Sequence, residues 1–94
     1  MSGGRFFVYD YLVEIVWDEN KRLTNLAKPG MDFADLDHGF FESAVILPSV
    51  ESRYLAIGSF KGTMIAEVVY RPLGGEALSV ISMRRASRKE RRLL

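Results

Sequence analysis

Apolar and polar positions along the chain repeat with two periods. Residues 11–17, Tyr-Leu-Val-Glu-Ile-Val-Trp, alternate and are rich in β-branched and aromatic side chains, which predicts a strand. Asp18 follows as a helix N-cap, with Glu19 in the first turn opposing the helix dipole. Leu23, Leu26 and Ala27 then recur at spacings of three and four, predicting a helix over 19–28 that Pro29-Gly30 stops. Asp32 is placed to cap a second short helix, 33–42, with Phe33, Leu36, Phe40 and Phe41 as its apolar stripe and Gly39 as a weak point.

The period then drops to two. Residues 44–47 form a short apolar run ended by Pro48. Residues 53–60 and 63–73 read as strands joined by a tight turn at Lys61-Gly62, with Pro72 near the end of the second. Gly74-Gly75 makes another turn into a strand over 77–83, where apolar Ile81 breaks the alternation and suggests burial on both faces. Ser87-x-x-Glu90 matches a capping box and opens a C-terminal helix too short to stand alone unless it docks. Residues 1–10 read as a loose leader or as an added strand. The order β-α-α-β-β-β-β-α describes an α+β fold: a small antiparallel β-sheet with two N-terminal helices and a short C-terminal helix.

Length and composition fit this layout. With 94 residues, 48% of them apolar and 27% charged, residues 1–94 are expected to form a single domain around one core. The absence of cysteine excludes a disulfide framework, a zinc ribbon and a thiol nucleophile. No apolar run approaches the roughly 20 residues of a membrane helix, and no secretory h-region with a cleavage site follows the start. A cytoplasmic protein without membrane contact is the expectation.

Charge adds what hydropathy does not show. The net charge is +1, yet residues 1–83 hold 7 basic and 11 acidic side chains, whereas the C-terminal segment 84–94 holds 6 basic ones against Glu90 alone. A skew of this kind points to a polyanionic partner or an acidic protein surface, because each phosphate contact adds a salt-sensitive attraction. The alternative is a solvated helix with its basic residues placed toward the C-terminal end. Classical catalytic sets are absent. His38 is the single histidine and reads as a solvated helix position. Asp35, Asp37 and His38 lack ligand spacing, so no metal and no cofactor is expected. The glycines at 62 and 74–75 belong to hairpins and precede no helix, so they are not phosphate loops. A nuclease does not need histidine. Arg and Lys can stabilise charge developing on a phosphate, Glu or Tyr can move protons, and RNA brings its own nucleophile, the 2′-OH.

Five stretches in order carry a resemblance. They are Ile15-Val-Trp17-Asp18-Glu-Asn20-Lys21, Asn25-Leu26-x-Lys28-x-Gly30-x-x-Phe33, Arg53-Tyr54-x-Ala56-Ile57-Gly58, Val68-Val69-Tyr70, and Ile81-Ser82-x-Arg84-Arg85-Ala86-Ser87-x-x-Glu90-Arg91. Together they resemble the BrnT family, the toxin half of a bacterial type II toxin–antitoxin pair. The resemblance implies a RelE/ParE-like fold, RNA cleavage that arrests translation, and a cognate antitoxin with a ribbon-helix-helix DNA-binding domain. Three positions depart from the family pattern. Pro29 stands where the family has His in Lys-His-Gly, Ser52 where it has an acidic residue, and Ser79 where it has Arg.

Residue type and resemblance together nominate the site. Arg53, Arg84 and Arg85 would hold and neutralise phosphate, and Tyr70 and Glu90 are the proton-transfer candidates. Tyr70 has the alternative of a plain sheet residue, and Glu90 that of a helix cap. Lys28, Arg88 and Lys89 would add RNA-binding charge, the last two from a helix expected to be mobile and partner-dependent. Trp17 and Asp18 read as core packing and helix cap. The leading expectation is an endoribonuclease toxin that cuts RNA without metal. The alternative is a catalytically weak or inactive member acting as an antitoxin-binding or regulatory module, and a nucleic-acid-binding protein using the basic tail is a third.

Overall fold

The computed structural model describes residues 5–8 and 11–94, with side chains from Val13 onward. The strands are β1 (Arg5–Val8), β2 (Tyr11–Trp17), β3 (Val45–Pro48), β4 (Tyr54–Phe60), β5 (Met64–Leu73) and β6 (Ala77–Arg85). The helices are α1 (Glu19–Asn25), α2 (His38–Ser43) and α3 (Arg88–Arg91), with one 3₁₀ turn at Phe33–Asp35. Of the expected leader, residues 5–8 form the added strand, and the remainder of 1–10 lies outside the described residues. Among the described residues no helix is long and apolar enough to cross a membrane.

The six strands form one sheet in the order β1-β2-β6-β5-β4-β3. Hairpins join β1 to β2, β3 to β4, β4 to β5 and β5 to β6, so those pairs are antiparallel. The expectation of an antiparallel sheet fails at one seam. β2 pairs with β6 in parallel, Ile15 opposite Leu78 and Trp17 opposite Val80. The chain between those strands makes α1, α2 and three further strands, a connection long enough to bring the last strand back beside β2 in the same direction. The sheet is therefore mixed.

The caps fall where the polar residues stand. Asp18 accepts the N–H groups of Asn20 at 2.8 Å and Lys21 at 3.4 Å, and Ser87 with Glu90 forms the full capping box. The expected helix 33–42 is divided. Asp32 caps the 3₁₀ turn, Leu36 is extended, and Asp37 starts α2 by accepting the Phe40 N–H at 3.0 Å. Two acidic N-caps five residues apart start two separate helical turns, yet Phe33, Leu36, Phe40 and Phe41 all still reach the core. The helix expected over 19–28 closes earlier, with Leu26 as its C-cap.

One sheet face carries the core. Ile15, Ala56, Ala66, Val68, Leu78, Val80 and Met83 point toward Met31, Phe33, Leu36, Phe40 and Phe41. In β6 the alternation slips at a bulge beside Val69 and Tyr70, which places Ile81 out of phase and returns Met83 to the core side. Ile81 is thus half-buried, the residue whose apolar character had suggested a two-faced strand. The stripe expected on α1 faces outward instead: Leu23 is 54% exposed and Leu26 39%, while Asn25 is buried.

Candidate functional site at the end of strand six

β2 stops pairing at Trp17, opposite Val80, so the last residues of β6 have no strand on that side. Asp18 turns the chain into α1 there, and α1 covers the open edge. Asn25 takes the place of a strand: its Oδ1 accepts the Met83 N–H at 3.2 Å, and its Nδ2 donates to the Met31 carbonyl at 2.8 Å. Lys28 Nζ lies 3.4 Å from both Asn25 Oδ1 and the Met83 carbonyl. A buried amide meets the hydrogen-bonding needs of an unpaired strand edge and fixes a lysine beside it.

Arg84 and Glu67 are directly opposite in the β5–β6 pair, on the face away from Val68 and Met83. Arg84 Nη2 donates to Glu67 Oε2 at 2.9 Å and to Glu90 Oε2 at 3.0 Å, and its Nη1 donates to the Arg85 carbonyl at 2.9 Å. Glu90 Oε1 accepts the Ser87 N–H at 2.7 Å, so the helix cap and the ion pair use the same carboxylate. Glu67 is 6% exposed. Burial, helped by its hydrogen bond to Glu90 and opposed by Arg84, pushes the Glu67 carboxyl up to about 7. The hydrogen bond from Glu67, with the Ser87 N–H and Arg84, brings Glu90 down to about 2. Two adjoining carboxyl groups held on one guanidinium titrate as a pair. α3 buries no residue of its own, and this network ties it to the sheet.

Two open grooves flank Lys28. One, of about 550 Å³, runs between α1 and β6 past Lys21, Thr24, Asn25 and Ser82. The other, of about 430 Å³, is bounded by Pro29, Met31, Arg84 and Arg85. Arg85, Arg88 and Lys89 are exposed, and none forms an ion pair among the described residues, so their charge is available to a polyanion. Lys28, Arg84, Arg85 and Glu90 are thus gathered at one end of β6, with Arg88 and Lys89 on the adjoining helix.

Arg53 and Tyr70 stand elsewhere. Tyr70 lies opposite Tyr54, stacked on it with centroids 5.9 Å apart, and meets the edge of Phe41 at 5.6 Å. That is the core side of the sheet, opposite to Arg84. Burial, with the neighbouring Tyr54, raises the Tyr70 hydroxyl. Arg53 precedes Tyr54, with Nη2 3.7 Å from Glu51 and a buried Nε that has no hydrogen-bond partner. His38 is the exposed first residue of α2. Pro29 lines a site groove, whereas Ser52 lies in the β3–β4 loop and Ser79 pairs with Val16 and Arg71 inside the sheet.

Sequence reasoning did not single out Glu67, or Asn25 as a site residue. The signal for Glu67 was one acidic residue inside the apolar run Ile65-Ala-Glu-Val-Val69. An acid that a strand buries needs a partner from elsewhere in the fold.

Comparison with known proteins gives the arrangement a lineage. Residues 17–90 match the family described as the ribonuclease toxin, BrnT, of type II toxin–antitoxin systems. The 1.1 Å crystal structure of the Brucella abortus ribonuclease toxin BrnT is 57% identical, with a TM-score of 0.74 over 79% of this chain and 96% of that one. No curated protein is significantly similar to the chain. The matched region contains α1, the whole of β6 and Glu90, and therefore the whole cluster around Arg84; the chain belongs to the BrnT family of ribonuclease toxins.

Proposed function

We propose that this chain is an endoribonuclease, the toxin of a type II toxin–antitoxin pair, and that it works at the end of β6. The observation that carries the site is Arg84, held between Glu67 and Glu90 at the mouth of a groove shared with Lys28 and Arg85. Its guanidinium is already oriented, so little ordering is needed when a phosphate arrives. Lys28, Arg84 and Arg85 neutralise the charge that builds on the phosphate as the 2′-OH attacks. Removing one preorganised donor of this type costs about 10²–10³ in rate. The second groove, with Lys21, Thr24 and Ser82, receives the neighbouring nucleotide, and Arg88 and Lys89 hold the strand by charge.

The toxin acts in the cytoplasm on RNA that supports translation. A ribbon-helix-helix antitoxin encoded beside it covers the site, and the fold falls in the RelE/ParE-like class. The basic residues of 84–94 are part of the same domain, through β6 and the capping box.

The test is expression with and without the neighbouring reading frame, together with RNA cutting by purified protein. Growth arrest without the antitoxin is the expected result, relieved by Arg84→Ala and by Arg85→Ala, and cutting should weaken as salt rises. Undiminished arrest in both single variants and in the double variant overturns the site assignment. Tyr70→Phe keeps the ring contacts and is expected to cut at the wild-type rate.

A further inference from the structure

We infer that Glu67 and Glu90 act as one proton-accepting pair in RNA cleavage, with Glu90 facing the substrate and Glu67 a positioning residue behind it. The inference rests on the ribonuclease reading above and deepens it.

The geometry divides the two roles. Glu90 lies at the start of α3, where its side chain is 18% exposed beside the groove that holds Arg84. Glu67 sits beneath, on β5, its side chain 8% exposed. One arginine nitrogen bridges both carboxylates, at 2.9 Å from Glu67 and 3.0 Å from Glu90, which sets the two carboxyls side by side. The charged groups around Glu67 are Arg84 from β6, Glu90 from α3 and Lys28 from the segment after α1, while its neighbour on β4 is the fully buried Ile57. Structural ion pairs seldom bury a second carboxylate against the first, because like charges in a desolvated place repel. The arrangement is useful where a proton must be taken up and released.

Alone, Glu90 would be a poor base. Its two oxygens already accept from Ser87 and Arg84, which favour the ionised form. With Glu67 also ionised, the pair binds a proton more tightly than either acid would by itself. Its upper titration step lies near neutrality, where a general base is most effective. The pair takes the proton of the 2′-OH, the 2′-oxygen forms a bond to phosphorus, and the bond from phosphorus to the 5′-oxygen breaks. The departing oxygen takes a proton from water, leaving a 2′,3′-cyclic phosphate and a 5′-hydroxyl. Arg84 stays paired with the carboxylates and faces the phosphate. The pair later returns its proton to solvent.

The experiment is the pH profile of kcat/KM for RNA cutting by the wild type, Glu67→Gln and Glu67→Leu, with binding of an all-DNA version of the substrate measured beside it. Wild-type kcat/KM should rise about tenfold per pH unit below about pH 7 and level off above it. Both variants should lose at least about tenfold at pH 7.5, show a flat profile from about pH 6 to 8, and bind the DNA analogue within about twofold of wild type. The leucine variant keeps the test valid if the glutamine distorts the site, because Arg84 is half-exposed and keeps Glu90 as its partner, so no charge is left buried and unpaired. An unchanged profile in either folded variant overturns the inference. So does a loss that is equal at every pH and matched by weaker DNA binding, which would mark Glu67 as a structural support only. Failure of the wild type to cut RNA at any pH overturns the ribonuclease reading, and the inference falls with it.

Discussion

The side-chain oxygen of Asn25 accepts the backbone N–H of Met83 at 3.2 Å, so a helix residue completes the edge of a strand far along the chain. This contact joins α1 to β6 and sets Lys28 beside the last strand. It also explains why α1 buries an asparagine while Leu23 and Leu26 face outward. The helix is held to the sheet edge by directed hydrogen bonds.

Asn25→Ala should therefore destabilise the protein. It leaves the Met83 N–H and the Met31 carbonyl without partners, at about 1–3 kcal/mol for each group that water does not reach. Urea denaturation would show a lower midpoint with an unchanged slope. Asn25→Asp keeps an acceptor for Met83 but sets a carboxylate oxygen against the Met31 carbonyl in a buried place, so it should destabilise as well. A midpoint unaffected by the alanine would refute this role.

Gly58 on β4 lies close against Ala44, at the end of α2. A Cβ there would stand 3.2 Å from both the Cα and the Cβ of Ala44. Backbone on one side cannot give way cheaply, so Gly58→Ala should cost about 1–3 kcal/mol through overpacking. Thermal unfolding reads this directly. Ala44→Gly in the same chain removes one of the two contacts and should recover part of the loss.

Stability should pass through a maximum in mild acid. Glu67 is raised to about 7, so the folded state holds its proton more tightly than the unfolded chain does. That contribution is present at low pH and lost as pH rises from the ordinary glutamate range through about 7. Glu90, lowered to about 2 mainly by its hydrogen bond with Glu67, contributes the opposite limb, lost as pH falls toward 2. Asp32, lowered by the Arg22 guanidinium at 2.8 Å, acts in the same direction as Glu90. Denaturation at about pH 3, 5 and 8 should give the highest midpoint at the middle value. Glu67→Gln should abolish the decline above pH 5. A wild-type midpoint that climbs steadily to pH 8 would contradict the assignment.

Several caps and turns are legible in the chain because their causes are local. Asp18 and Ser87 cap helices through bonds to residues two and three positions on. Lys61-Gly62 turns a hairpin with both φ angles positive. Phe33, Leu36, Phe40 and Phe41 reach the core even though their helix is broken between them, since apolar burial does not depend on where a helix is interrupted. The basic cluster at Arg84 and Arg85 is likewise a matter of composition. Tertiary structure alone decided the rest. The parallel seam between β2 and β6 joins strands more than fifty residues apart, and no hairpin announces it. Asn25 is buried because β2 ends before β6 does, a difference visible only once the two are paired. Tyr70 is separated from Arg84 by the thickness of the sheet, and Arg53 lies in the loop before β4, which the order of residues along the chain does not show. Glu67 and Glu90 come together on Arg84 because β5 pairs with β6 and α3 follows β6. Charge and capping are written in adjacent residues, whereas a shared proton requires two acids that only the folded chain brings together.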